Sequence, residues 1–212
     1  MTSINLEIDG QEVKAEKGIT ILEAAKSVGI KIPTLCYHKN LAPYGACRMC
    51  VVEIIKEGRN HIVASCGYPV EDNLKVKTRS PRIDKIRKTI IELFLPLVSD
   101  SDVEIKKTIR RLMDEYGADA SRFMSKVKVT PTRCILCGQC VRYCSEVVKV
   151  NAIGFVGRGT ERRVVFFPQI ASQFCSSCRR CFHICPTGKI LAETDGIDFS
   201  GFSIEDYFAK RI

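Results

Sequence analysis

The sequence predicts an α+β fold of two small units joined by a helical linker, and three observations predict it. Near the C-terminal end two cysteine runs, Cys134, Cys137, Cys140, Cys144 and Cys175, Cys178, Cys181, Cys185, each read C-x2-C-x2-C-x3-C, the second closed by Pro186. In the first third, Cys36, Cys47, Cys50 and Cys66 follow a strand-turn-strand-helix pattern with spacing C-x10-C-x2-C-x15-C. Between the two groups, apolar residues recur at intervals of three and four, the period of amphipathic helices.

Two tandem runs of this spacing resemble those of bacterial two-cluster ferredoxins, which hold a pair of [4Fe-4S] clusters. Three cysteines at two-residue intervals on a tight, irregular loop present three sulfurs to three corners of a cubane, and the fourth turns away as the chain enters a helix. In that family the fourth cysteine ligates the other cluster. The resemblance therefore implies one cluster on Cys134, Cys137, Cys140 and Cys185, and a second on Cys144, Cys175, Cys178 and Cys181. Zinc is the competing reading, but its thiolate motifs come as separated pairs, not as three ligands on one short loop. Ser145 follows Cys144 where the second run has Pro186, a departure confined to that turn.

The N-terminal unit opens with a β-hairpin. Ile4, Leu6 and Ile8 alternate with polar residues, Asp9 and Gly10 turn the chain, and Val13 and Ala15 resume the alternation. A helix over residues 20–28 follows, with Thr20 as N-cap, Glu23 completing a capping box, Ile21, Leu22, Ala25 and Val28 on one face, and Gly29 as its stop. Strands are expected over 51–55 and through Leu74, Val76 and Thr78. Plant-type ferredoxins carry C-x4-C-x2-C and a distant fourth cysteine on a scaffold of this order. The longer first gap here departs from that spacing. It is similar instead to the N-terminal [2Fe-2S] domain of the large iron-sulfur subunit of respiratory complex I and of its relatives in multimeric hydrogenases. That resemblance implies a β-grasp domain whose Cys36, Cys47, Cys50 and Cys66 hold a [2Fe-2S] cluster. Gly45 and Ala46 are the small residues needed where backbone wraps a cluster. A Rieske centre would replace two cysteines by two histidines; with four cysteines present, His38 and His61 are expected at the surface.

From Pro81 the stripe Ile83, Ile86, Ile90, Phe94 and Leu97 predicts a helix that Pro96 ends or kinks. Ser101 to Glu104 read as the capping box of a second helix, through Ile105, Ile109, Leu112, Met113 and Tyr116 to a stop at Gly117. The whole chain resembles the small diaphorase-type subunit of NAD(P)-linked hydrogenases, itself similar to the N-terminal third of the complex I subunit. In many relatives the linking region carries one histidine and three cysteines for an additional [4Fe-4S] cluster. Between Cys66 and Cys134 this chain has neither residue type. That cluster is absent, so an electron passes directly between the flanking centres or enters by a different neighbour.

Beyond Cys144, segments 152–156 and 163–167 flank Gly157, Arg158, Gly159 and Thr160 and read as a hairpin; no helix pattern follows, so the glycines are not a phosphate loop. His183 is expected to pack or hydrogen-bond. A short strand is expected after Gly188, then a tail whose Phe199, Phe202, Tyr207 and Phe208 pack on this chain or on a neighbouring subunit. The expected divisions are 1–80, a [2Fe-2S] ferredoxin domain; 81–128, a helical linker; 129–194, a two-[4Fe-4S] ferredoxin domain; and 195–212, a docking tail.

The chain has 212 residues, twelve cysteines and a formal charge of +9. An oxidised cluster with four thiolates carries about −2, so three of them bring the charge to about +3. Much of the basic excess therefore offsets anionic clusters, which weakens a nucleic-acid reading; Arg162, Arg163, Arg179 and Arg180 are expected on solvated faces or near a cluster. The first ten residues lack a signal-peptide pattern and no apolar run is long enough to span a bilayer, so a cytoplasmic setting is expected, where cysteines in regular groups are metal ligands and not disulfides. No nucleotide fingerprint, flavin motif or nucleophile-base pair is present. The resemblance implies an electron-transfer subunit between a flavoprotein that oxidises NAD(P)H and a second redox partner, in a hydrogenase or an electron-bifurcating complex. A succinate-dehydrogenase-type subunit has the shorter C-x4-C-x2-C gap, and a free-standing ferredoxin is expected to be acidic.

Overall fold

The computed structural model describes residues 3–98, 103–119, 121–124, 132–187 and 189–190. Strands β1 (Ser3–Ile8) and β2 (Gln11–Glu16) form the expected antiparallel hairpin. Helix α1 (Ile21–Ser27) begins on the expected capping box: the Thr20 hydroxyl accepts from the Glu23 N–H at 3.3 Å, and the Glu23 carboxylate accepts the Thr20 N–H at 2.8 Å. Strands β3 (Val51–Lys56), β4 (Arg59–Ala64) and β5 (Lys75–Lys77) complete a mixed sheet of order β2-β1-β5-β3-β4, in which β5 runs parallel to β1 and antiparallel to β3. Insertion of the last strand between two hairpins gives the β-grasp. The sequence reading missed β4. It is an edge strand whose Arg59, Asn60 and His61 are all exposed, so it lacks an apolar alternation. Leu6, Ile8, Val13, Ile21, Ala24, Val52, Ile54 and Val76 form the core, together with Cys50 and Cys66.

Helices α2 (Pro81–Val98), α3 (Val103–Tyr116) and α4 (Ser121–Met124) build the linker. The buried face of α2 is rotated from the expected stripe. Ile83, Arg87, Ile91, Glu92 and Val98 are buried, whereas Ile86, Ile90, Phe94 and Leu97 are only half-buried. Arg87 and Glu92 are buried because each finds hydrogen-bond partners on neighbouring segments. Pro96 does not end the helix, which continues through it to Val98. On α3, Ile109, Leu112 and Tyr116 point inward, and Gly117, at φ 59°, follows its last turn. The expected cap at Ser101 and Asp102 and the side chain of Ile105 lie outside the described residues.

The linker is not a loose tether. Leu35, Cys36, Cys47 and Met49 of the first unit, Ile91, Val98, Ile109, Leu112 and Tyr116 of the helices, and Ile135 and Cys137 of the C-terminal unit share one apolar cluster. That unit contains α5 (Gln139–Arg142), a π-turn at Tyr143–Val148, the hairpin of β6 (Ile153–Val156) and β7 (Arg163–Phe166), then α6 (Pro168–Cys178) and α7 (Arg180–Ile184). The β6–β7 turn requires glycine at 157: φ is 74°, and a Cβ there would stand 2.3 Å from the Glu161 carbonyl oxygen.

Two expectations are corrected here. The second cysteine run does not lie on an irregular loop, because Cys175 and Cys178 sit on the last turn of α6, where a three-residue interval brings both thiols to one face. Lys189 and Ile190 are helical, not extended, with Ile190 buried against the hairpin. The expected docking tail, 195–212, lies outside the described residues.

Candidate metal centres

Cys36, Cys47, Cys50 and Cys66 are each at most 3% exposed. They meet as two pairs. The Cys50 and Cys66 sulfurs stand 3.3 Å apart, and Cys36 accepts the Cys47 N–H at 3.4 Å as well as hydrogen-bonding its thiol. The two thiols of each pair are hydrogen-bonded to each other. The Cys47 thiol and other bonds draw Cys36 down to about 6 against the opposing effect of burial, and Cys66 does the same for Cys50, also to about 6. Their partners are driven far up, first by the hydrogen bond within the pair and then by burial. Two thiols on each side, with backbone N–H groups from Ala46 and Gly45 directed at the sulfurs of Cys36 and Cys66, suit a two-iron core. His61 is exposed; half-buried His38 stands edge-on to the Tyr143 ring at 5.6 Å.

The C-terminal cysteines fall into two neighbourhoods that cross the two runs. Burial raises Cys137 to about 12, and the charges of Cys185 and Cys134 push the same way. Cys140 is raised by burial and by Cys137, Cys185 and Cys134. Cys175 is raised to about 11 by burial and then by Cys144 and Cys178; Cys181 is raised to about 12 by burial, Cys175, Cys144 and Cys178. Thiols this hard to ionise in a buried site are the ones that a cationic metal core converts to thiolates. Among the described residues, no three His, Cys, Asp or Glu side chains are drawn in closely enough to hold a single ion. His183 is exposed on α7.

The three neighbourhoods are also in contact with one another. Cys36 and Cys137 belong to one apolar cluster, and Cys140 and Cys181 to another. A polar joint locks the first contact. The buried Gln139 amide donates to the carbonyls of Leu35 (3.1 Å) and Tyr37 (3.2 Å), which flank Cys36. Arg142 donates to the Ala42 carbonyl, pairs with Glu146 at 3.0 Å and lies over the Tyr44 ring, while Glu146 accepts the Ala42 N–H at 3.0 Å. Sequence reasoning missed Gln139 and Arg142, since within a cysteine run the intervening positions carry no spacing signal of their own.

The comparisons with known proteins match this geometry. Residues 1–81 match the family model of a 2Fe-2S iron-sulfur cluster binding domain, and residues 133–189 that of a 4Fe-4S dicluster domain. A crystal structure of an NAD+-reducing [NiFe]-hydrogenase in the H2-reduced state contains a chain that superposes with a TM-score of 0.72 at 30% identity, covering 88% of this chain and 86% of that one. This chain belongs to the iron-sulfur subunit family of NAD(P)-linked hydrogenases and complex I. Its cofactors are accordingly one [2Fe-2S] and two [4Fe-4S] clusters. Among curated family members, the alpha subunit of the NADPH-Fe(3+) oxidoreductase of Geobacter sulfurreducens is 37% identical over 206 residues, or 90% of this chain and 24% of that protein. The 75 kDa subunit of NADH-ubiquinone oxidoreductase from Reclinomonas americana is 35% identical over 209 residues, 90% of this chain and 29% of its own length. Subunit HndD of the NADP-reducing hydrogenase of Solidesulfovibrio fructosivorans is 33% identical over 214 residues, 90% of this chain and 36% of its own. The chain thus spans about a quarter to a third of the curated relatives it matches. Among the described residues, no helix is long and apolar enough to cross a membrane.

Proposed function

We propose that this chain is the electron-transfer subunit of a multisubunit NAD(P)-linked oxidoreductase, of the hydrogenase or electron-bifurcating kind. In this reading Cys36, Cys47, Cys50 and Cys66 hold the [2Fe-2S] cluster; Cys134, Cys137, Cys140 and Cys185 hold the first [4Fe-4S] cluster; and Cys144, Cys175, Cys178 and Cys181 hold the second. The units divide near residues 80, 128 and 194. When bound, the clusters accept and release single electrons. The first unit faces a flavoprotein that exchanges hydride with NAD(P)H, the dicluster unit faces a second redox subunit such as a hydrogenase, and the assembly is cytoplasmic. The chain's own residues supply ligands, exclude water and fix spacing, and the chain contributes no substrate site.

The observation that carries this reading is the serial packing of the three cysteine neighbourhoods: Cys36 and Cys137 share one apolar cluster, and Cys140 and Cys181 share another. The names of the relatives support the rest: each is a subunit of an NAD(P)H-linked oxidoreductase or a hydrogenase. Anaerobically purified protein should contain about ten irons and ten acid-labile sulfides per chain, two from the binuclear and eight from the cubane clusters. Stoichiometric zinc without sulfide would overturn the reading. Cys185→Ser should disturb the cubane signal of the cluster on Cys134, Cys137 and Cys140; loss of the other cubane alone would refute the crossed ligand sets. Purification of the native assembly, with its co-purifying subunits identified, tests the partners.

A further inference from the structure

Among the described residues, Arg87 is a charged side chain with no charged partner. It lies mid-way along α2, only 1% exposed, and its three hydrogen bonds all go to neutral oxygens. Nε donates to the Met49 carbonyl at 3.0 Å, Nη2 to the Val51 carbonyl at 2.8 Å, and Nη1 to the Tyr116 hydroxyl at 3.0 Å. The guanidinium also lies 5.6 Å from the centroid of the Tyr116 ring. Burial raises the Tyr116 phenol, so it stays neutral. Among the described residues, the ion pairs belong to Lys56, Lys75, Arg79, Arg122 and Arg142. Glu53 is buried two residues beyond Val51, yet it makes none with Arg87. A buried guanidinium left without a counter-charge is strongly disfavoured.

The position of those hydrogen bonds indicates where the counter-charge comes from. Met49 and Val51 bracket Cys50, and Met49 shares an apolar cluster with Cys36 and Cys47. A [2Fe-2S] core with its four thiolates carries about −2, and uptake of one electron makes it about −3. We infer that Arg87 is the buried counter-charge of the [2Fe-2S] cluster, holding its reduction potential up from a helix outside the ligand loop. This rests on the assignment of Cys36, Cys47, Cys50 and Cys66 as that cluster's ligands. Arg142, another cation near this site, is already offset by Glu146, and Arg48, between Cys47 and Met49, is exposed to solvent that screens its charge, so the buried compensation falls to Arg87. As a positioning residue, Arg87 also ties the linker helix to the backbone on either side of one ligand. With the cluster bound, its one added electron would strengthen the attraction between the cluster and the Arg87 guanidinium.

The test is an EPR-monitored redox titration of the full-length holoprotein. Arg87→Gln removes the charge and keeps a donor. At a fixed potential the reduced-to-oxidised ratio of the [2Fe-2S] cluster should fall at least tenfold, a shift of 59 mV for one electron, with both [4Fe-4S] signals unmoved. Arg87→Lys keeps the charge and should stay within threefold of the parent. Tyr116→Phe removes a neutral acceptor and should do the same. An Arg87→Gln ratio within threefold of the parent overturns the inference, as does an equal fall in all three variants, which would mark a packing role. If Arg87→Gln yields no [2Fe-2S] signal, Arg87→Lys decides: a parental ratio supports the inference and a tenfold fall overturns it. Failure of the ligand assignment is read separately, from a parent protein that shows no [2Fe-2S] signal at all.

Discussion

Gln139→Leu isolates the joint between the two cluster-bearing units. The side chain is 6% exposed and its amide serves two carbonyls, Leu35 at 3.1 Å and Tyr37 at 3.2 Å. Leucine has nearly the same volume, so no large cavity opens. A buried carbonyl deprived of its donor costs about 1–3 kcal/mol, which applies in full to Leu35; about half of that applies to the half-buried Tyr37, where water reaches. Added apolar burial returns about 1 kcal/mol. The net loss is about 2 kcal/mol, a factor of about thirty in a local opening equilibrium. Hydrogen exchange of the holoprotein, read by mass spectrometry, should show amides in both 35–47 and 139–146 exchanging faster by about that factor. Gln173→Leu, at an exposed amide that bonds only within its own helix, should change neither segment. An acceleration below threefold, or one confined to 139–146, would refute the idea that Gln139 joins the units.

Three further outcomes test the packing. Ile91→Ala, in the cluster shared by all three parts of the chain, should cost about 2–5 kcal/mol; anaerobic denaturation followed at both cluster types should show one common transition moved to lower denaturant, and movement of one signal alone would contradict a shared core. Gly157→Ala meets both a left-handed φ of 74° and the Glu161 carbonyl, so it should cost about 2–4 kcal/mol, whereas Gly159→Ala, at φ 51° with nothing within 4 Å, should lose only the left-handed part, about 1 kcal/mol; equal losses in thermal melts would discount the clash. Hydrogen bonds from Lys56 and Tyr68 hold the Glu71 carboxyl below its ordinary range. A lowered folded pKa contributes stability that is complete above the unfolded value and lost as pH falls through the folded one, so the difference in melting temperature between parent and Glu71→Gln should close below about pH 4; a difference that persists in acid would mean that the contact does not act through charge.

The first unit was legible because its signals are local. The Asp9-Gly10 turn, the alternation on either side of it and the Thr20–Glu23 box each involve residues within a few positions of one another, and all three stand in the structure. Strand β4 was illegible for the opposite reason: an edge strand needs only its backbone partner, and the β3–β4 register of Val51 with Ala64 through Lys56 with Arg59 is a property of the pair. On α2 the period was correct and the face was not. Apolar spacing points to the Ile83–Leu97 stripe, while the burial of Arg87 and Glu92 depends on carbonyls and donors contributed by distant segments. The cysteine groups were legible from spacing. Which groups adjoin was not, because the contact of Cys36 with Cys137 spans the whole linker.

The absence of cluster ligands between Cys66 and Cys134 moves a mechanical task onto ordinary side chains. Four thiolates on one inorganic core cross-link the chain whatever the neighbouring side chains do; a linker without them must hold its register by packing and hydrogen bonds. Here two buried charged residues five positions apart on α2 divide that task. Glu92, with no exposed side-chain surface, accepts the Asp119 N–H at 3.1 Å and pairs with Arg122 at 2.6 Å, binding α4 and the end of α3 to α2. Arg87 binds the preceding turns of α2 to the backbone around Cys50. An apolar residue at either position would avoid the cost of burying a charge, but it would not reach a carbonyl or an N–H on a particular neighbouring segment. The helices can then keep Ile91 and Val98 against both Cys36 and Cys137, so the two cluster-bearing units stay in contact across a linker that has no cluster of its own.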